Sequence, residues 1–121
     1  MQTHTISRPQ WKSTFDSISR IYDGAHASVE VLQDDLGAQF EVEEEPLRGI
    51  SYDTSGIELH FNTRDGRHLV HRIAHPSQVM VEEDDAGLLA ALDIESGDEP
   101  RTIVRFQAPR PSRLIGGDGR A

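Results

Sequence analysis

The sequence predicts an α+β fold: one N-terminal amphipathic helix followed by an antiparallel β-meander of six to eight strands, strongly bent or closed halfway into a barrel. Two observations lead to this class. Apolar residues recur with the period of a helix up to Gly24 and with the period of a strand after it. Turn sequences such as DDLG, RDG and DDAG then return about every ten residues, which is typical of a meander and leaves no room for crossover helices.

The helix is predicted over residues 7–23, SRPQWKSTFDSISRIYD. Ser7 and Gln10 have the spacing of a capping box, and Pro9 falls in the first turn, where its missing N–H costs nothing. Gly24 is a natural end. One face is apolar and carries Trp11, Phe15, Ile18 and Tyr22, with Ile21 beside them. The other face consists largely of weak helix formers, so burial of the apolar face must stabilise this helix.

Alternation of apolar and polar residues predicts the strands. They are expected at 25–33, 38–45, 46–53, 57–64, 67–75, 77–83, near 89–96 and at 101–107. In the second strand Phe40 and Val42 are expected to point inward. The stretch LLAAL at 88–92 also suits a helix, but its apolar positions continue the alternation into Ile94, which favours a strand.

The expected domain organisation is simple. Residues 1–6 form a flexible N-terminus, residues 7–107 form a single globular domain, and residues 108–121, with their Pro, Gly and Arg content, form a disordered C-terminal tail. The length of 121 residues is that of one domain.

Composition excludes several classes of function. The chain has no cysteine, which rules out disulfides, thiolate zinc sites and a Cys nucleophile. Its net charge of −9 makes nucleic acids and anionic membranes unfavourable partners. The sequence shows neither a signal peptide nor a membrane-spanning run, so a cytoplasmic protein is expected. Glu-rich strand edges favour a monomer or a weak homodimer.

The segment HLVHRIAHP at 68–76 contains three histidines. The dipeptide Asp65-Gly66 before it predicts a β-hairpin. A three-residue turn with Gly66 in a left-handed conformation pairs Phe61 with Leu69, whereas a two-residue turn scatters the apolar residues over both faces. We therefore expect the first register, which gathers large apolar residues on one face: Ile57, Leu59, Phe61, Leu69 and Ile73.

In this register His68 points outward, whereas His71 and His75 point inward. His71 and His75 would lie roughly 13 Å apart along a strand, too far for both to bind one ion at about 2 Å. We therefore expect no metal site here and no cofactor. His60 shares the outer face with His68, where an adventitious surface site is conceivable. His71, among aliphatic side chains, is either a buried and hydrogen-bonded residue or a pocket residue with a shifted pKa.

The stretch RGISYD brings Arg48, Tyr52 and Asp53 close together in sequence. Tyr52 alternates with Ile50, so both are expected inward, and a buried Tyr hydroxyl needs a partner. A pair of Tyr52 and His71 could perform acid–base chemistry, although a structural hydrogen bond is the simpler interpretation. Asp53 precedes TSG and suits a turn-capping role.

The acidic runs at 41–45 and 82–85 lack the spaced oxygen ligands and the glycine of a calcium loop. We interpret them as solvated strand ends that protect sheet edges, or alternatively as a docking surface for a basic partner. Phosphate loops, dinucleotide fingerprints, nucleophile elbows and zincin helices are absent from the sequence.

Three stretches together resemble a family of small bacterial proteins, the domain of unknown function 5335. They are Trp11 and Phe15 on the opening helix, PLRGISYD at 46–53, and HRIAHP at 71–76. The resemblance covers about residues 8–107. It implies a compact one-domain protein in which Tyr52 and His71 are features of the fold, and it implies no activity.

Three functions are compatible with the sequence. The first is a non-enzymatic interaction or accessory protein whose protein partner docks on a sheet edge, on the helix face around Trp11 or on the acidic surface. The second is a small-molecule binder with Tyr52, His71 and Arg48 as polar groups in an apolar pocket. The third is an enzyme with a Tyr52–His71 acid–base pair. The residues expected to face a ligand or partner are thus Trp11, Arg48, Tyr52 and His71, and no catalytic residue is assigned.

Overall fold

A computed structural model of the chain describes residues 2–33, 37–97 and 100–111, with side chains up to residue 107. The strands are β1 (Gln2–Ile6), β2 (His26–Gln33), β3 (Gly37–Asp53), β4 (Gly56–Asn62), β5 (His68–Ala74), β6 (Pro76–Glu83), β7 (Leu88–Ser96) and β8 (Arg101–Pro111). A 3₁₀ turn (Arg8–Gln10) leads into the helix α1 (Trp11–Ile21). None of the helical segments in these ranges has the length and apolar character needed to cross a membrane.

The eight described strands form one antiparallel sheet in the order β1-β6-β7-β8-β2-β3-β4-β5. The predicted meander is present as two runs, β2 to β5 and β6 to β8, which join where β8 pairs with β2. The stretch 88–92 is strand, as favoured from its alternation. Within the described residues β1 and β5 do not pair with each other, so the sheet is open.

One residue, His75, links β5 at one end of the sheet to β6 near the other end. Because neighbouring Cα atoms lie only about 3.8 Å apart, the two ends of the sheet must approach each other at this link. His75 has a φ of 52° and is exposed. The prediction that its side chain faces inward is therefore wrong, since the residue turns the chain between two strands and belongs to neither.

The apolar face of α1 lies in the core, as predicted. Four large side chains of the helix and its C-terminal cap are each at most 1% exposed: Trp11, Phe15, Ile18 and the cap residue Tyr22. The helix begins later than expected, however, because Arg8–Gln10 wind as a 3₁₀ turn and Ser7 makes no side-chain cap hydrogen bond. The predicted capping box is therefore wrong.

Trp11 anchors the junction between β1 and the helix. Its indole Nε1 donates to the carbonyl oxygen of Ile6 at 2.9 Å. The guanidinium of Arg8 lies 4.2 Å from the centre of the indole ring, a cation–π arrangement. Arg8 also donates to the carbonyl oxygen of Pro76 at 3.3 Å, which ties the junction to β6.

Strand pairing extends beyond both predicted domain ends. Gln2–Ile6, predicted to be flexible, pairs with β6 along its whole length. Its residues are exposed except for the half-buried Ile6, so an alternation of apolar and polar residues does not indicate this strand. At the other end β8 continues to Pro111, paired with β7, and thus enters the predicted tail. Residues 112–121 lie outside the described residues.

Strand β3 is long and changes partner along its length. Its first part pairs with β2, and residues 47–53 pair with β4. Register shifts occur twice opposite β2 and once opposite β4. Each shift adds one residue to β3, and such bulges bend a strand and increase its twist. Glu44, with a φ of 53°, lies at one of these irregular points. The core consequently draws on both parts of the sheet and on α1.

Ser19 of α1 binds the bend of β3. Its hydroxyl accepts the Ile50 N–H at 2.8 Å and donates within its own helix at 2.8 Å or to the Ile50 carbonyl at 3.1 Å. The segment after the helix adds two backbone hydrogen bonds, from Gly24 N–H to the Leu47 carbonyl (2.7 Å) and from Leu47 N–H to the Ala25 carbonyl (2.8 Å). The helix and this segment thus provide hydrogen-bond partners for backbone groups of β3 on the side that faces away from β4.

The prediction that Phe40 points inward is wrong. Val42 is inward and 4% exposed, and it pairs with Val29. The next residue of β2, Glu30, pairs with Phe40, because Glu41 is an extra residue in β3. The bulge turns Phe40 to the outer face, where it is 55% exposed. A single inserted residue reverses the facing of a strand, and alternation alone does not reveal it.

Replacing Ser19 with Ala removes the hydroxyl that pairs with the Ile50 N–H and leaves that buried amide without a partner. We expect Ser19→Ala to lower the free energy of unfolding by about 1–3 kcal/mol. Ser13→Ala is the matched control, because Ser13 is exposed and bonds only within its own turn, and it should change stability by less than about 0.5 kcal/mol. Urea unfolding followed by Trp fluorescence measures both, and equal effects would contradict this role of Ser19.

Candidate functional site

The hairpin of β4 and β5 has the predicted register. Phe61 pairs with Leu69, and Leu59 pairs with His71. Gly66 in the turn has a φ of 90°, the left-handed conformation expected of a glycine at this point. The hairpin therefore directs His71 to the inner face of the sheet and its neighbours in sequence to the outer face.

The open edge of β5 exposes apolar side chains. Leu69 on the inner face is 37% exposed, and Val70 on the outer face is 44% exposed. Leu69 was expected inside, and it does face inward, but β5 is the last strand in the described sheet, so no further strand covers it. With Phe40, these are the large apolar side chains that stand exposed in the part of the chain described.

His71 is half-buried and lines a cleft of about 160 Å³. The cleft is enclosed by residues from β2, β3, β5 and the start of β8, among them Val31, Glu41, His71, Ile73 and Thr102. His71 has interactions within the protein. A site of this volume is smaller than the roughly 300–1,000 Å³ typical of pockets for drug-sized ligands.

Tyr52 lies apart from this cleft. Its ring packs edge-on against Trp11, with centroids 5.3 Å apart, and against Phe15 at 6.4 Å. It faces the core from β3, as predicted, and pairs with Ile57 of β4. Strand β4 therefore stands between Tyr52 and His71. Trp11 is itself 1% exposed, so its ring offers no surface to a partner.

Arg48 and Asp53 have local roles. Arg48 is exposed, and its guanidinium lies 3.8 Å from the carboxylate of Asp23 with both side chains more than half exposed. Such a surface pair contributes little to stability. Asp53 accepts the N–H of Ser55 at 2.8 Å and its hydroxyl at 2.6 Å, and these hydrogen bonds hold the pKa of the Asp53 carboxyl below its usual value. The turn-capping role predicted for Asp53 is confirmed.

The two acidic runs lie in β3 and at the end of β6 with the turn that follows it. Residues 41–45 lie in β3, and Glu45 accepts hydrogen bonds from the backbone N–H of Arg64 (3.0 Å) and from its side-chain Nε (3.3 Å). In the second run Asp84 closes the turn between β6 and β7, accepting the N–H groups of Ala86 and Leu88 at 2.9 and 3.0 Å. These carboxylates are therefore occupied in turns and loop contacts. No group of three or more His, Asp or Glu that could hold a metal ion occurs among the described residues.

Asp93 on β7 is a buried carboxylate that sequence reasoning missed. It is 6% exposed and pairs with Met80 on one side and Ile103 on the other. Arg101 Nε lies 3.2 Å from its Oδ1, yet within the described residues this oxygen accepts no hydrogen bond of good geometry. Burial raises the pKa of Asp93 above its ordinary value, and the opposing effect of Arg101 is smaller. In the alternating pattern of this strand Asp93 occupies a position expected to face solvent. The sequence therefore gives no sign that its carboxylate is buried.

The raised pKa of Asp93 predicts a definite pH dependence. The folded state binds its proton more tightly than the unfolded state, so this group lowers stability as pH rises from the ordinary carboxyl range through the raised pKa. We expect Asp93→Asn to be more stable than the wild type at neutral pH and to lose this advantage in acid. Glu95→Gln is the control, because Glu95 contacts the same Arg101 at 3.6 Å but is 37% exposed. Chemical unfolding at several pH values would contradict the account if Asp93→Asn were the less stable protein at neutral pH.

Comparison with known proteins places the chain in a family. A family model described as "Family of unknown function (DUF5335)" matches residues 2–113. An "Uncharacterized protein" of Aquifex aeolicus (strain VF5) is 32% identical over 111 residues, which span 92% of this chain and 97% of that protein. No solved structure matches significantly. The match includes β1 and nearly the whole described chain, and we conclude that this protein belongs to the DUF5335 family.

Proposed function

We propose that this chain is a non-enzymatic, cytoplasmic interaction protein that binds an extended segment of a partner protein along the free edge of β5. One observation carries the proposal: β5 ends the described sheet and exposes Leu69 and Val70, one on each face. An edge strand presents a row of unpaired N–H and C=O groups, and adding a strand satisfies them. Flanking apolar side chains then gain burial on both faces of the extended sheet.

The edge of β5 suits this role better than the other end of the sheet. Strand β1 has the sequence QTHTI, and its residues are exposed and polar apart from Ile6. Strand β5 has the sequence HLVHRIA and contains no acidic residue, although the chain carries a net charge of −9. A partner segment with apolar and acidic side chains is therefore not repelled at β5. The same overall charge disfavours nucleic acids and anionic membranes as partners.

The test replaces Val70 with Lys, which places a charge on the exposed outer face of β5 and leaves the core side chains unchanged. We expect Val70→Lys to reduce recovery of partner protein about tenfold or more, the equivalent of about 1.4 kcal/mol or more in binding. Recovery is measured by quantitative mass spectrometry after cross-linking in the native host. Phe40→Lys is the matched control, because Phe40 is also an exposed large apolar residue, at 55% against 44% for Val70, but lies on β3. Partners retained by Val70→Lys, or lost to the same extent in Phe40→Lys, would contradict the proposal.

A second candidate is a small-molecule binder, favoured by the cleft at His71. Residues of β2 and β5 line it together although two strands separate them in the sheet order. This supports the strongly bent, half-barrel shape expected from the sequence, with the cleft as its mouth. The observed lining of the cleft differs from the lining predicted from the sequence. Tyr52 packs on the helix instead, and Arg48 pairs with Asp23. A ligand here would be small and would contact the imidazole of His71.

Native mass spectrometry of the protein purified from its host tests the second candidate. We expect a bound mass in the wild type that is lost in His71→Ala and retained in His26→Ala, a half-buried histidine of β2 outside the cleft. A bound mass that persists in His71→Ala would place the ligand elsewhere.

A further inference from the structure

His60 and His68 meet on the outer face of the hairpin. His60 pairs with Val70 and His68 pairs with Asn62, so the two histidines are diagonal neighbours on adjacent strands. The Nδ1 atom of His60 lies 3.3 Å from the Nε2 atom of His68, and the ring centroids are 5.5 Å apart. His68 is exposed, so its ring can turn without disturbing the core.

The far side of His60 is held by other groups. Its Nε2 lies 3.3 Å from Oε1 of Glu58 and 3.3 Å from the hydroxyl of Ser51. The other carboxylate oxygen of Glu58 accepts a hydrogen bond from Arg72 at 3.2 Å, which fixes the carboxylate in place. A carboxylate at Nε2 favours the tautomer with its proton on that atom. The lone pair of His60 Nδ1 is then directed toward His68.

The spacing of the two ring nitrogens fits a shared ion. Two nitrogens bound at about 2.0–2.1 Å to one zinc ion at a tetrahedral angle lie roughly 3.3–3.4 Å apart. The observed 3.3 Å between the nitrogens of His60 and His68, which is a hydrogen bond when no ion is bound, falls in this range. We propose that His60 and His68 bind a divalent transition-metal ion of the imidazole-preferring class, such as Zn²⁺, with Glu58 orienting the His60 ring from behind.

The chain supplies two ligands to this site. No third His, Asp or Glu completes a ligand set among the described residues, so water or a group from a bound partner takes the remaining positions. Imidazole ligands select zinc, copper and nickel over calcium and magnesium, which prefer oxygen. The site adjoins the free edge of β5 but does not depend on a partner binding there.

Calorimetric titration of the full chain with Zn²⁺ tests the proposal at neutral pH. We expect saturable binding of one ion per chain that His60→Ala and His68→Ala each abolish. Glu58→Gln should weaken binding about 10–100-fold, as is usual when the partner of a ligating imidazole is lost.

His4→Ala is the matched control, because His4 is also an exposed histidine beside a carboxylate, 3.0 Å from Glu83. It should bind Zn²⁺ like the wild type. Circular dichroism establishes that each variant is folded, and long-range histidine ¹⁵N spectra show which ring nitrogens respond to the ion. Absence of saturable binding, binding that survives His68→Ala, or equal loss in His4→Ala would mean an adventitious ion only and would overturn the proposal. Zn²⁺ binding is measured without any partner protein, so failure of the proposed partner binding is distinguishable from failure of this site.

Discussion

The fold depends on the contact between α1 and the bend of β3. Beyond the bend, β3 leaves β2 and pairs with β4, so the backbone groups of residues 47–50 on the side away from β4 need other partners. Ser19 and the segment Gly24–Ala25 supply them through hydrogen bonds of 2.7–3.1 Å. The buried face of α1 packs in the same core cluster as Leu47 and Ile50 of β3. A buried backbone group left without a partner costs free energy comparable to that of a lost hydrogen bond, so these bonds stabilise the fold together with the packing of α1.

Other features follow from this arrangement. One residue, His75, connects β5 to β6, so the two ends of the sheet approach each other there. Residues of β2 and β5 also line the cleft at His71 together, although β3 and β4 lie between them in the sheet order. Strand β5 is an open edge of the sheet that the described residues form, which leaves Leu69 and Val70 exposed.

Much of the fold could be predicted because it is encoded locally. The apolar face of α1, the register of the β4–β5 hairpin and the cap at Asp53 each depend on residues close in sequence, and each was predicted from the pattern. The errors come from longer-range geometry. Phe40 turns outward because of a bulge opposite β2, and β1 pairs with β6, which is far from it in the sequence.

The candidate site was less predictable for the same reason. Tyr52 and His71 share a face of the sheet, as alternation indicated. Tyr52, however, packs against Trp11 of the helix, whereas His71 lines a cleft. The helix face around Trp11 was one of the expected docking surfaces, but Trp11 lies in the core. Asp93 and Ser19 were missed, because an acid on a strand and a serine on a helix are ordinary in sequence, and only tertiary contacts distinguish them.

Amide hydrogen exchange at single-residue resolution shows whether α1 and the segment after it hold the bend of β3. If α1 and the segment after it supply the hydrogen-bond partners at the bend of β3, the N–H groups of Leu47 and Ile50 should be as strongly protected from exchange as those in the middle of β7. Both sets of amides would then exchange only when the whole domain unfolds. Exchange of these two amides at the rate of an exposed edge strand, with β7 still protected, would show that the helix does not hold the bend and would contradict the account.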